Sequence, residues 1–281
     1  MAGLTVLMYH ALSDAAGVIG DADPHYTVAR PRFLEQLKRV RAAGVKLCSV
    51  RDAILGTCSV HDTPCAALTF DDGHISNRDA AEQIVRHGGR ADFFVNPGVV
   101  GGANFLSWSE LREMAALGMS IQSHGYTHRY LDELSRIEVE HELTASKKEI
   151  EDRLGQAVLL FAPAGGRMPV HFADLARDAG YAGTCSSRPG TWTPGENIGI
   201  PRLAVLASTT DDQLHRWVTG ARIDIALQQA RYRTLRTMKR LLGNQVYERV
   251  RAGLLGRYPP EVIDRSPAQG NAESKARDSG S

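Results

Sequence analysis

The sequence predicts an α/β fold, a distorted (β/α)7-8 TIM-like barrel with a C-terminal helical extension. Three observations lead there. Short apolar runs alternate with helical patterns over about the first 200 positions, the signature of a parallel sheet. Glycine follows the helical stretches at Gly44, Gly88, Gly118, Gly155 and Gly180, where a helix C-terminus favours it. Polar and titratable residues stand just past the strands, as they do on the active face of such barrels.

The elements follow in order. Leu4–Tyr9 is the first strand and ends at His10. Pro31–Ala43 is a helix with proline at its start, and Val45–Val50 the next strand. Ala66–Phe70 is a strand ending at Asp71 and Asp72, followed by a helix over Asn77–His87. Strand Ala91–Val95 ends at Asn96, helix Ser109–Leu117 follows, and strand Met119–Gln122 leads to His124. A long helix, Ser135–Leu154, precedes strand Val158–Phe161. Helix Pro169–Ala179, strand Tyr181–Cys185 and strand Ile198–Leu203, which holds Arg202, complete the pattern. Seven or eight strands joined by helices suggest closure into a barrel.

A length of 281 residues accommodates such a barrel with an extension, and 43% hydrophobic residues supply its core. The barrel is expected over residues 1–210, a basic amphipathic helical extension over 211–260 and a disordered tail over 261–281. A net charge of +1 argues against a general nucleic-acid binder. The start shows no charged-then-apolar leader, and no stretch approaches the roughly 18 apolar residues of a membrane span. A cytoplasmic protein is therefore expected, with the inner face of the membrane as a second site. The basic helices allow peripheral membrane contact, although a pair of ordinary helices packed on the barrel fits the same pattern. The four cysteines form no CxxC pair and read as free thiols.

Two local motifs carry the chemistry. Asp71-Asp72-Gly73 ends an apolar strand, and His124 and His128 stand four apart in Ser123-His124-Gly125-Tyr126-Thr127-His128. One aspartate with both histidines makes a three-ligand metal site that leaves room for water. The other aspartate is left as a base beside that water, which points to metal-assisted hydrolysis. The ligand set suits zinc or ferrous iron. His10 and Arg202, at strand ends, are placed to approach this centre.

Leu68-Thr69-Phe70-Asp71-Asp72-Gly73 and the His124–His128 segment resemble the first two motifs of the polysaccharide deacetylases, carbohydrate esterase family 4. Ala91-Asp92-Phe93-Phe94-Val95, Phe105-Leu106-Ser107-Trp108, Gly180-Tyr181 and Ile200-Pro201-Arg202 resemble supporting stretches, so the likeness covers about residues 3 to 206. The resemblance implies a distorted (β/α) barrel that removes acetyl groups from sugars. It makes Asp71 the general base and Asp72, His124 and His128 the ligands of one divalent ion. Zinc is expected, with iron, nickel or cobalt as alternatives. The family's third motif carries an arginine that the matching stretch Phe161-Ala162-Pro163-Ala164-Gly165 lacks, so Arg202 is the candidate to orient the base. Met8-Tyr9-His10 resembles the opening of the branch that deacetylates poly-N-acetylglucosamine, which makes His10 the general acid.

Three further residues are candidate substrate contacts. Trp108 is either a sugar-stacking ring or a core residue, Asn96 either touches substrate or caps a turn, and Pro163 stands in the third-motif stretch. The expected substrate is an acetamido sugar in glycan assembly, lipid- or nucleotide-linked. A deformylase or deacylase of another small sugar amide, and an inactive metal-binding partner in glycan assembly, are the alternatives.

Overall fold

The structure is a computed structural model that describes residues 3–13, 22–58, 64–193, 195–220 and 223–234. The chain divides into two units, 1–235 and 236–281, and all described residues fall in the first. The strands are β1 (Leu4–Tyr9), β2 (Ala11–Ser13), β3 (Thr27–Ala29), β4 (Lys46–Cys48), β5 (Cys65–Phe70), β6 (Ala91–Val95), β7 (Ser120–Ser123), β8 (Leu160–Phe161), β9 (Gly183–Thr184), β10 (Thr191–Trp192) and β11 (Leu203–Ala204). The helices are α1 (Arg30–Ala42), α2 (Val50–Ile54), α3 (Asn77–Arg86), α4 (Trp108–Ala116), α5 (Arg136–Leu154), α6 (Phe172–Asp178) and α7 (Asp211–Val218).

One curled sheet runs in the order β10-β1-β5-β6-β7-β8-β9, with β4 beside β5 and β11 beside β1; β2 and β3 form a separate pair. All its pairings are parallel except β1 with β10. Ile200 bridges Cys185 just past β9, and Leu203 and Ala204 pair with β1. The segment from 200 to 204 thus touches both edges of the sheet and gives a distorted barrel.

Alternation along the strands explains the two cores. Val6, Ala67, Phe94 and Leu160 belong to a cluster with Leu4, Trp192 and Ile200. Their neighbours Leu7, Leu68, Phe93 and Phe161 pack with helix residues such as Phe33, Ile84, Leu111 and Leu143. Successive side chains point to opposite faces of a strand, so one set fills the barrel and the other meets the helices. The helix side carries a cross-strand aromatic stack, Tyr9–Phe70 at 5.2 Å and Phe70–Phe93 at 4.8 Å between ring centroids.

All eight expected strand runs hold strand residues: Leu4–Tyr9 and Ala91–Val95 keep their limits, β5 gains Cys65, and the others are shorter or shifted. The expected strand Val45–Val50 stops at Cys48 because Ser49 accepts the Asp52 amide and starts α2. α7 lies in the stretch expected as an extension, yet Leu214 and Trp217 are buried in the main core and Asp212 pairs with Arg39 at 3.0 Å. Residues 223–234 are helical. The rest of the expected extension and the expected tail at 261–281 lie outside the described residues. Among the described residues no helix is long and apolar enough to cross a membrane.

Candidate active site

β5 delivers both aspartates. The Asp71 amide continues the ladder by donating to the Tyr9 carbonyl at 3.0 Å. Asp72 and Gly73 then take left-handed backbone, φ 75° and 68°. This turn swings Asp72 off the strand line; aspartate tolerates that conformation better than most side chains.

β7 delivers the histidines. The His124 amide donates to the Val95 carbonyl at 2.9 Å, and Gly125 and His128 take φ 84° and 63°. His124 Nδ1 lies 2.7 Å from the Ala162 carbonyl. A carbonyl only accepts, so Nδ1 carries the proton and Nε2 keeps its lone pair. That Nε2 and His128 Nε2 each lie 3.2 Å from Asp72 Oδ1. Asp72, His124 and His128 thus bring three ligand-type atoms within 4.8 Å of one another. Two imidazole nitrogens and a carboxylate oxygen, one imidazole fixed by a second hydrogen bond, are a donor set that fits a divalent ion. Burial pushes the Asp72 carboxyl up, but His124 and His128 outweigh it and hold it well below the usual carboxylate value.

Asp71 points elsewhere, into a fully buried pair with Arg202. Arg202 Nη1 donates to Oδ1 at 2.6 Å and Nη2 to Oδ2 at 2.8 Å. The guanidinium also donates to the Ser186 carbonyl and Thr69 Oγ1, and lies over the Phe94 ring. A buried charge needs this degree of pairing. Burial raises the Asp71 carboxyl, while Arg202, His124 and His10 outweigh it and hold it below the ordinary value. The field of His10 reaches both aspartates. Its ring packs 4.5 Å from Tyr26, and its buried Nδ1 has no partner among the described residues.

Residues 59–184 match the family model of the polysaccharide deacetylases. Over that span the chain is similar to the polysaccharide deacetylases. The polysaccharide deacetylase-like protein YxkH of Bacillus subtilis (strain 168) is 26% identical over 192 residues, which are 67% of this chain and 66% of that protein. The chain thus spans just under two thirds of that relative's length. Among solved structures, BC0361, a polysaccharide deacetylase from Bacillus cereus, matches with a TM-score of 0.69 and 26% identity over 77% of this chain and 69% of that one. IcaB from Ammonifex degensii matches in fold, with a TM-score of 0.66 and 23% identity over 78% of this chain and 97% of that one. His10 and Arg202 lie outside the span matched by the family model, so their placement rests on the geometry of this chain.

The three expected substrate contacts are differently placed around the site. Asn96 is 1% exposed, and its Nδ2 donates to the His124 and Gly125 carbonyls at 2.7 and 3.1 Å. Its amide holds the histidine turn. Trp108 packs against the main core beneath Arg153 of α5, 5.5 Å from the ring, between two helices. Pro163 is buried and follows Ala162, whose carbonyl fixes His124.

Glu142 was not singled out from the sequence. It is 3% exposed, on α5, and accepts from the Tyr126 amide at 2.5 Å, the Thr127 amide at 2.9 Å and the Thr127 hydroxyl. It clamps the turn between the two histidines. A Cβ at Gly125 would come within 2.9 Å of its Oε2, which together with φ 84° explains the glycine. The available signal was an acid on the apolar face of α5, in register with Val139, Leu143, Ser146 and Ile150.

Proposed function

We propose that this protein is a metal-dependent amide hydrolase that removes N-acetyl groups from an acetylated polysaccharide. The observation that carries the reading is the convergence of Asp72, His124 and His128 beside the Asp71–Arg202 pair. The likeness to polysaccharide deacetylases favours a polymer over the lipid- or nucleotide-linked sugar, and zinc is the metal we propose.

A divalent ion held by Asp72, His124 and His128 would acidify a water and polarise the acetyl carbonyl. Asp71 takes the proton of the attacking water. Arg202 keeps Asp71 ionised for that task and fixes its orientation. His10, an imidazole beside both aspartates, donates the proton that the leaving amine needs. His124 keeps its ligand nitrogen available because its other nitrogen is bound to the Ala162 carbonyl.

The test is acetate release from poly-N-acetylglucosamine and from a nucleotide-linked N-acetyl sugar, with wild type and Asp71→Asn. We expect release from the polymer, with wild-type metal content and a loss of about 100-fold or more in kcat for the variant. Metal uptake without turnover on either substrate would make the domain a binding protein instead.

A further inference from the structure

The only four cysteines of the chain, Cys48, Cys58, Cys65 and the distant Cys185, meet in one cluster. Cys48, Cys58 and Cys185 are buried there with Ala67, Phe94 and Leu160, and Cys65 packs against them. None of the four is in a disulfide. Within this cluster Cys58 Sγ and Cys65 Sγ are 3.8 Å apart. Cys48 also interacts with Cys58, and its Sγ lies 3.7 Å from the Ala66 carbonyl. Cys58 and Cys65 differ in access. Cys58 is 5% exposed, whereas Cys65, the first residue of β5, is partly open to solvent. Asp71 follows the other end of β5, about 20 Å away at the usual rise of a strand.

We propose that Cys58 and Cys65 form an oxidisable thiol pair, in which Cys65 meets the oxidant and Cys58 resolves it into a disulfide. The oxidant is a hydroperoxide, with hydrogen peroxide as the simplest case. Cys65 sulfur attacks one peroxide oxygen, the O–O bond breaks, and the departing hydroxide leaves as water with the thiol proton. Cys65 is then a sulfenic acid, oxidised by two electrons. Cys58 sulfur attacks it, the S–O bond breaks, and a second water leaves with the Cys58 proton. Two thiols and one peroxide give one disulfide and two waters. The sulfurs must close from contact to about 2.05 Å, a short movement for adjacent side chains. Burial, with Cys58 adding to it, pushes the Cys65 thiol up to about 11. Cys65 is therefore mostly un-ionised at neutral pH, and the pair records sustained exposure rather than a brief pulse.

Tryptic cleavage separates the outcomes, because Cys58 and Cys65 share the peptide 52–78 while Cys48 falls in 47–51. Reduced full-length protein is held in hydrogen peroxide at mildly alkaline pH, denatured, alkylated and digested without reductant. We expect peptide 52–78 to be two hydrogens lighter and unalkylated, with Cys48 alkylated. In Cys58→Ser, dimedone should label Cys65, and wild type should show little label. The inference is overturned if both thiols of 52–78 remain alkylatable, if Cys48 is cross-linked to that peptide, or if Cys65 passes to higher acids with Cys58 untouched. Absence of the dimedone adduct in Cys58→Ser would equally overturn it. The readout is mass alone, so the result stands apart from the proposed deacetylation.

Discussion

Asp72 and His128 both hold left-handed backbone, at φ 75° and 63°. For residues with a side chain that conformation costs on the order of 1 kcal/mol each, so the surrounding contacts must enforce it. For the histidine turn the enforcing group is Glu142, whose carboxylate gathers two amides and a hydroxyl. Glu142→Gln keeps the size but loses the charge and part of the acceptor capacity. We expect zinc affinity, measured by chelator competition, to fall about 10- to 100-fold. An unchanged affinity would mean that the turn holds itself. At this scale the four motif residues were legible because each pair is close in sequence and ends an apolar run. Arg202 was legible only by elimination, since the third motif lacks its arginine. Glu142 and the true engagement of Asn96 were hidden because their partners are backbone atoms, which no residue pattern names.

α5 links the site to ordinary helix chemistry. Ser135 and Glu138 form a reciprocal cap at its start, and Gly155 ends it with φ 65°. Ser135→Ala should cost about 1 kcal/mol of stability and leave zinc affinity unchanged, since the Ser135 side chain bonds Glu138 and not the histidine turn. Thermal denaturation with chelator competition on the same sample checks both halves. Paired with Glu142→Gln, it separates holding the helix from holding the ligands. The closing glycine was plain in the sequence, as was each strand–helix alternation. The short α2 was not: Ser49 sits inside what reads as the end of a strand, and the Asp92 carboxylate that receives the Val50 and Arg51 amides comes from β6. β10 was also missed, because two residues running antiparallel at a sheet edge leave no periodicity to read.

For the molecule as a whole, Asp92 sets a dependence on pH. Burial pushes its carboxyl up to about 7, although Ser120 and the Val50 and Arg51 amides oppose the rise. The folded chain therefore holds this proton more tightly than the unfolded one, whose value is about 3.9. The associated stability is complete below about pH 4 and is lost as pH rises through about 7. Asp92→Asn stays neutral at every pH. Relative to wild type it should gain about 2–3 kcal/mol between about pH 5 and pH 8, read from denaturation at both values. A difference that does not change with pH would show that Asp92 does not titrate in this range. Comparing variant with wild type cancels Asp71 and Asp72, whose lowered values act in the opposite sense.

The barrel class was readable from alternation alone, but the way its edges meet was not. Closure depends on the segment from 200 to 204, and that segment carries Arg202. Synthesis therefore finishes the ligand triad long before it supplies the guanidinium that aims the base. A nascent or truncated polypeptide stopping near residue 190 would possess every metal-binding side chain and still leave Asp71 without its counterion. Under the proposed mechanism, a base with its orienting partner would thus arrive only together with the final stitch of the cylinder.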